Sequence, residues 1–185
     1  MLNNLLEIIS TFVLNTIEAW GITGVFVLSA LESANIPIPS EVIIPFAGFL
    51  AAIGRFNFWA VVLAGAFGNL AGSLVSYYAA ARLDKHLRKN RDFIIAEKWF
   101  KKFGIWSVFF GRMLPIVRTF ISFPAGMFKV NIWKFSYLTF LGSFLWSWLL
   151  AYIGFFLGER WDIIGPYFRQ FDFVILGAII VAFGW

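Results

Sequence analysis

The sequence lacks cysteine and contains a single histidine, His86. The absence of cysteine excludes disulfide bonds and thiolate metal sites, and one histidine argues against a histidine-based metal site or a catalytic triad. We therefore expect neither a metal nor another cofactor. Charged residues are also scarce, at 14% of the chain against about 25% in soluble domains. This shortage predicts a protein that folds within a lipid bilayer.

Apolar residues make up 61% of the chain, and they include 24 Phe and nine Trp. Two uncharged stretches, 58–81 and 135–158, exceed the roughly 20 apolar residues that a spanning helix needs. Residues 171–185 begin a further apolar stretch, which we interpret as a C-terminal transmembrane helix. Residues 5–20 either lie at the membrane interface or pair with the segment that follows. All of residues 1–185 form a single membrane domain in this interpretation.

Two other apolar segments are interrupted by proline, which prevents a continuous helix. The first, 21–53, contains Pro37 and Pro39 near its middle, and the second, 104–128, contains Pro115 and Pro124. We interpret each as a re-entrant helical hairpin that enters and leaves the membrane on one side. Irregular backbone at that depth is stable only where protein or a water-filled cavity surrounds it.

The order of these features predicts an internal repeat. Residues 21–82 form the first repeat and 104–158 the second, and each contains a broken hairpin followed by a full span. The two hairpins open to opposite sides, which is typical of inverted-repeat transporters with a midplane site. The predicted fold is therefore an all-α polytopic membrane protein with two inverted repeats and a C-terminal transmembrane helix.

A basic, amphipathic segment, 83–103, separates the repeats. Eight Lys or Arg residues lie within 82–102, and the positive-inside rule places such a loop in the cytoplasm. We expect this segment to lie on the membrane surface and to contact anionic lipids rather than nucleic acid.

Four charged residues lie within the broken hairpins: Glu32, Glu41, Arg112 and Arg118. Each would cost about 2.5–3.5 kcal/mol at the centre of a membrane without compensation, so all four must meet partners, water or ligand. Arginine offers a planar fork of donors that suits phosphate oxygens, which predicts headgroup binding by Arg112 and Arg118. A carboxyl group can be neutralised on burial, which suggests proton coupling by Glu32 and Glu41.

Two alternatives remain open for these charges. The four side chains could form only structural salt bridges that join the hairpins. Glu41 could act only as a favourable acid at the start of a helix. A ladder of small residues at every fourth position of the first span predicts a close helix-packing face; its members are Ala60, Ala64, Gly68, Gly72, Ser76 and Ala80.

Three motifs in this order resemble the DedA family of bacterial membrane proteins. They are 32-ESANIPIPSEVIIPFAG-48, 111-GRMLPIVRTFISFPAG-126 and the later G-x₃-W element, 142-GSFLW-146. The resemblance covers roughly residues 20–160. It implies a multi-pass protein of the bacterial plasma (inner) membrane that handles lipids, and it assigns the family's essential acids to Glu32 and Glu41 and its essential arginines to Arg112 and Arg118.

The function implied first is translocation of a lipid phosphate, namely proton-coupled recycling of undecaprenyl phosphate by a flippase that is not an enzyme. One alternative is a flippase or scramblase for phospholipids such as phosphatidylethanolamine. Another is a membrane phosphatase acting on polyprenyl pyrophosphate. The expected partners are the lipid substrate, protons, anionic lipids at residues 82–102 and a second copy of the chain.

Overall fold

The computed structural model describes residues 2–36, 38, 40–82, 104–114 and 117–157. Within these ranges the chain forms helices and turns without any strand, which confirms the all-helical prediction. The helices are α1 (Leu2–Trp20), α2 (Ile22–Ser33), α3 (Ser40–Ala52), α4 (Phe58–Arg82), α5 (Trp106–Arg112), α6 (Val117–Phe120), α7 (Ser122–Met127) and α8 (Ile132–Phe156).

The two long helices, α4 and α8, form the centre of the fold and pack against each other. Each has 25 residues, or about 38 Å of length, and both are apolar and long enough to cross a membrane. Their bounds agree with the predicted spans 58–81 and 135–158 to within a few residues. Aromatic side chains such as Trp133 and Phe156 point away from the core on α8, as expected for a surface that faces lipid.

The helices of the two interrupted segments, α2 and α3 in the first and α5 to α7 in the second, are each too short to cross a bilayer alone. Helices α2 and α3 have 12 and 13 residues, about 18 and 20 Å, against a hydrocarbon core of about 30 Å. Their counterparts in the second half are shorter still, with seven residues in α5, four in α6 and six in α7. Both predicted hairpin segments are therefore broken into short arms.

The short arms pack in a crossed pattern around the two long helices. The first arm of each segment lies on the long helix of its own half, α2 on α4 and α5 on α8. The second arm lies on the long helix of the other half, α3 on α8 and α7 on α4. Glycine allows both crossings, because a Cβ on Gly48 would collide with the backbone of Ala151 and one on Gly126 with that of Tyr77.

Helix α1 pairs with the first broken segment, which settles the placement of residues 5–20 in favour of pairing. It packs on α2 and α3, and the side chains of Val13 and Ile17 are fully buried. The backbone of Thr16 approaches Gly24 so closely that a side chain there would not fit. Helix α1 therefore packs against both arms of the first broken segment.

The small-residue ladder on α4 is a close packing face, as predicted. A Cβ on Gly68 would collide with the backbone of Phe26, and one on Gly72 with that of Ala30. Several predicted features lie outside the described residues: Pro37, Pro39, Pro115, the basic segment 83–103 and the C-terminal helix 171–185. Pro124 lies in the first turn of α7, where a missing backbone N–H costs little.

Candidate functional site

Arg118 lies at the centre of a buried group of charges. It belongs to the short helix α6 and is buried. Its Nη2 atom donates hydrogen bonds to Oε1 of Glu32 and to Oε1 of Glu41, the latter at 3.0 Å. One guanidinium group from the second broken segment therefore forms ion pairs with both acids of the first.

The two acids occupy opposite helix ends on either side of the first break. Glu32 lies in the last turn of α2, which ends where Asn35 adopts a left-handed conformation (φ 69°) and the Ile36 N–H bonds to the Leu31 carbonyl. Glu41 is the second residue of α3. Since a helix is partially negative at its C-terminus and positive at its N-terminus, the dipoles disfavour the charge on Glu32 and favour that on Glu41.

The two carboxylates also differ in their contact with solvent. The side chain of Glu32 is 3% exposed and that of Glu41 is 16% exposed. Glu32 thus combines burial with an unfavourable helix end, so its charge depends more strongly on the ion pair with Arg118.

Arg112 is equally buried but has a different set of partners. It is the last residue of α5 and is 2% exposed. Its Nη2 atom donates hydrogen bonds to Oγ of Ser73 and to Oγ of Ser122, the latter at 2.6 Å. In the part of the chain that the structure describes, no carboxylate pairs with this guanidinium and its Nε atom has no hydrogen-bond partner.

A seam of polar side chains joins the Arg112 site to the helix that carries Glu32. The Ser73 hydroxyl donates to the backbone carbonyl of Asn69. The Asn69 side chain donates to the Gly65 carbonyl at 2.9 Å and accepts a hydrogen bond from the Ser33 hydroxyl. Ser33 directly follows Glu32 in α2, so the seam fixes the spacing between the two arginine sites.

Helix α8 forms a wall of the site through the G-x₃-W element. A Cβ on Gly142 would lie 2.8 Å from Cβ of Arg112, so only glycine leaves room for the base of this arginine side chain. One turn later, the ring centroid of Trp146 lies 5.4 Å from Cζ of Arg118. The same element thus contacts both arginines.

The structure places each of the four predicted charged residues beside a break in one of the two interrupted segments, but in two distinct environments. Arg118 gathers both acids, whereas Arg112 is held by hydroxyl groups. The reasoning from the sequence did not identify Ser73 or Ser122, because single serines in apolar helices are common. The only sequence signal for Trp146 was its position in the G-x₃-W element.

Comparison with known proteins identifies the family to which the chain belongs. The model of the VTT domain matches residues 38–156, which is more than half of the chain. The chain belongs to the VTT-domain (DedA) family. The matched region of the VTT domain runs from the first break to the end of α8 and so includes Glu41 and both arginines.

Relatives of this VTT-domain protein carry different names. An "alkaline phosphatase-like protein" of Lactococcus lactis is 32% identical over 92% of this chain and 86% of the relative. The uncharacterized membrane protein YkoX of Bacillus subtilis is 34% identical over 95% and 83%, respectively. Undecaprenyl phosphate transporter A of the same species is 33% identical over 78% and 79%. No solved structure matches the chain.

The family, the names of the relatives and the two long apolar helices together establish a membrane protein. Within the described residues there is no group of three or more His, Cys, Asp or Glu side chains that would hold a metal ion. The charged groups described at the site are two guanidinium groups and two carboxylates, with serine hydroxyls beside them.

Proposed function

We propose that this protein is a lipid-phosphate translocase that returns undecaprenyl phosphate across the bacterial plasma membrane. The observation that supports this proposal most directly is the environment of Arg112. A buried cation without a counterion is costly, and two serine hydroxyls provide only neutral acceptors. A phosphate group would supply the negative charge that the described neighbours of Arg112 do not provide, and it would accept several hydrogen bonds from the planar guanidinium fork.

Proton coupling follows from the balance of charge at the site. The charges of Arg112 and Arg118 cancel those of Glu32 and Glu41. A phosphate monoester carries a charge of about −1.5 to −2 at neutral pH, so its arrival makes the site negative. Uptake of a proton by Glu41, the more accessible acid, would reduce this repulsion, since neighbouring like charges disfavour full ionisation.

The transport role also requires a particular organisation in the membrane. We propose that α2–α3 and α5–α7 are re-entrant hairpins of two inverted repeats, because in both segments the first arm packs on the long helix of its own half and the second arm packs on that of the other half. Such repeats place a substrate site near the midplane at the interface between them. The basic segment 82–102 then faces the cytoplasm, and the polyprenyl tail stays in the lipid while the headgroup passes the arginines.

The names of relatives favour this substrate class over others. The Bacillus subtilis relative and a Staphylococcus aureus relative, 26% identical over 90% of this chain, are both named undecaprenyl phosphate transporter A. The Lactococcus name suggests phosphatase activity instead. Phosphate release must therefore be measured together with transport.

The test is a transport assay with purified protein in liposomes that contain a fluorescent polyprenyl phosphate. Chemical quenching of the outer leaflet reports how fast the lipid moves between leaflets. We expect faster movement with the wild-type protein and loss of that gain in Arg112→Gln. Arg55→Gln is the matched control, because Arg55 is exposed and outside the site.

Three results would contradict the proposal. The first is a wild-type rate equal to that of empty liposomes. The second is movement of phosphatidylethanolamine that polyprenyl phosphate does not inhibit, which would favour a phospholipid scramblase. The third is release of inorganic phosphate from polyprenyl pyrophosphate without lipid movement, which would favour the phosphatase.

A further inference from the structure

Trp146 has two features that the proposed function does not yet explain. Its ring lies against the guanidinium group of Arg118, with 5.4 Å between Cζ and the ring centroid. Its indole Nε1 atom is buried and has no hydrogen-bond partner in the described part of the chain. The side chain itself packs against the main hydrophobic cluster that includes Leu50 and Ala51.

The unpartnered indole N–H is the more informative feature. A buried Trp N–H usually finds an acceptor, because leaving a buried donor unsatisfied costs free energy comparable to a lost hydrogen bond. Phenylalanine or leucine would fill an apolar position without this cost. An indole at this position is therefore best explained by an acceptor that arrives with a ligand.

The position of the ring indicates what that acceptor is. A guanidinium group over an aromatic face is held by cation–π attraction, and the same guanidinium is paired with Glu32 and Glu41. The indole ring therefore lies beside the Arg118 guanidinium. An anion bound at this site would be stabilised by each hydrogen-bond donor that faces it. Gly142, one turn earlier on α8, brings Arg112 against the same helix.

We propose that Trp146 is a headgroup-binding residue: its indole N–H donates a hydrogen bond to a phosphate oxygen of the lipid, while its ring face holds Arg118 in place. This inference rests on the proposed function and adds a neutral donor to the phosphate site. In the G-x₃-W element, Trp146 would then bind the substrate, and Gly142 would leave room for the side chain of Arg112.

Two substitutions separate the roles of the ring and the N–H. Trp146→Phe retains an aromatic face and removes the donor, whereas Trp146→Leu removes both. Trp148→Phe is the matched control, since Trp148 lies on the same helix, is 39% exposed and stacks on Tyr152 away from the site. Each variant is first checked for its thermal unfolding midpoint in detergent, so that binding is compared between folded proteins.

The probe is a short-chain polyprenyl phosphate, and the corresponding polyprenol without phosphate tests specificity. We expect Trp146→Phe to bind the phosphate about tenfold more weakly, as a lost hydrogen bond to a charged group predicts. Binding of the polyprenol should not change. Trp146→Leu should lose more affinity than Trp146→Phe, and Trp148→Phe should match the wild type.

The outcomes distinguish this inference from the function on which it rests. Equal phosphate affinity of wild type and Trp146→Phe overturns the inference while the translocase proposal stands. An equal loss for phosphate and polyprenol also overturns it, because the residue would then serve packing alone. A wild-type protein that neither binds nor moves the phosphate lipid contradicts the proposed function, and the inference fails with it.

Discussion

Arg112 and Arg118 belong to the same broken segment, but their surroundings differ in kind. Arg118 pairs with Glu32 and Glu41 across the first break. Arg112 donates to hydroxyl groups on α4 and α7, and Ser122 lies on the far side of its own break. Each arginine therefore bridges one break. Arg118 bridges the first break through ion pairs, and Arg112 bridges the second through a hydroxyl acceptor.

This difference separates two roles that the residue type alone does not distinguish. A cation between two carboxylates is already compensated, so its removal leaves buried negative charge behind. A cation held by hydroxyls retains its capacity for an anion. We therefore propose that Arg118 organises the site and that Arg112 is the first contact of a phosphate.

The largest effect is expected for the stability of Arg118→Gln. Removal of one partner from a buried ion pair costs about 3–5 kcal/mol, and here two carboxylates lose their cation. Denaturant unfolding in detergent measures the free energy of unfolding. Adding Glu32→Gln to this variant should restore part of the stability, and a loss below about 1 kcal/mol, as for an exposed pair, would contradict the central position of Arg118.

Arg112→Gln should show the opposite pattern. We expect its free energy of unfolding to change little, because the substitution removes a buried charge that no carboxylate in the described residues compensates. Its affinity for a short-chain polyprenyl phosphate should fall by about 10- to 100-fold, as expected for charge-assisted hydrogen bonds. A variant that is strongly destabilised but binds normally would reverse the roles assigned to the two arginines.

Glu41→Gln should change the pH dependence of binding. If phosphate binding takes up a proton, the bound protein holds more protons than the free protein, so affinity rises as pH falls, by at most about tenfold per pH unit for one proton. Measurements between about pH 7 and 8.5 keep the phosphate largely dianionic, since its second pKa is near 6. The variant should bind without this slope, whereas Glu18→Gln, at an exposed position, should retain it. A slope that persists in Glu41→Gln would exclude Glu41 as the coupling acid.

The smallest effects are expected for the hydroxyls around Arg112. Ser73→Ala and Ser122→Ala should each change phosphate affinity by a few-fold, since each removes only one of the two hydroxyls that orient the Arg112 guanidinium. Their combination should exceed either single change, because both orient the same guanidinium. Ser136→Ala, on α8 outside the site, is the control. Wild-type affinity in the double variant would show that the serines do not orient Arg112.

The helical architecture was largely predictable from the sequence because it follows from local composition. Long uncharged stretches identified α4 and α8, and proline identified the regions where the other helices are interrupted. The ladder on α4 predicted close packing, which Gly68 and Gly72 provide against α2. In each case the residues that allow the prediction lie within the predicted helix or break itself, or within a few helical turns of it.

The pairing within the site was less predictable because it depends on contacts between distant segments. The two arginines lie six positions apart with a break between them, so helical periodicity could not assign their partners. Ser73 and Ser122 become distinctive only once α4 and α7 meet at Arg112. The contact of Trp146 with Arg118 likewise depends on the packing of α8 against the broken segments.

The crossed arms also have a consequence for how the chain is made. Helix α3 packs on α8, which is synthesised last among the described helices. Gly48 allows this contact because a Cβ there would collide with the backbone of Ala151. Before α8 and Arg118 have been synthesised, α3 and the acids Glu32 and Glu41 lack these packing and ion-pair partners. The contacts of α3 with α8, and of both acids with Arg118, therefore form only after the second half of the described chain has been synthesised.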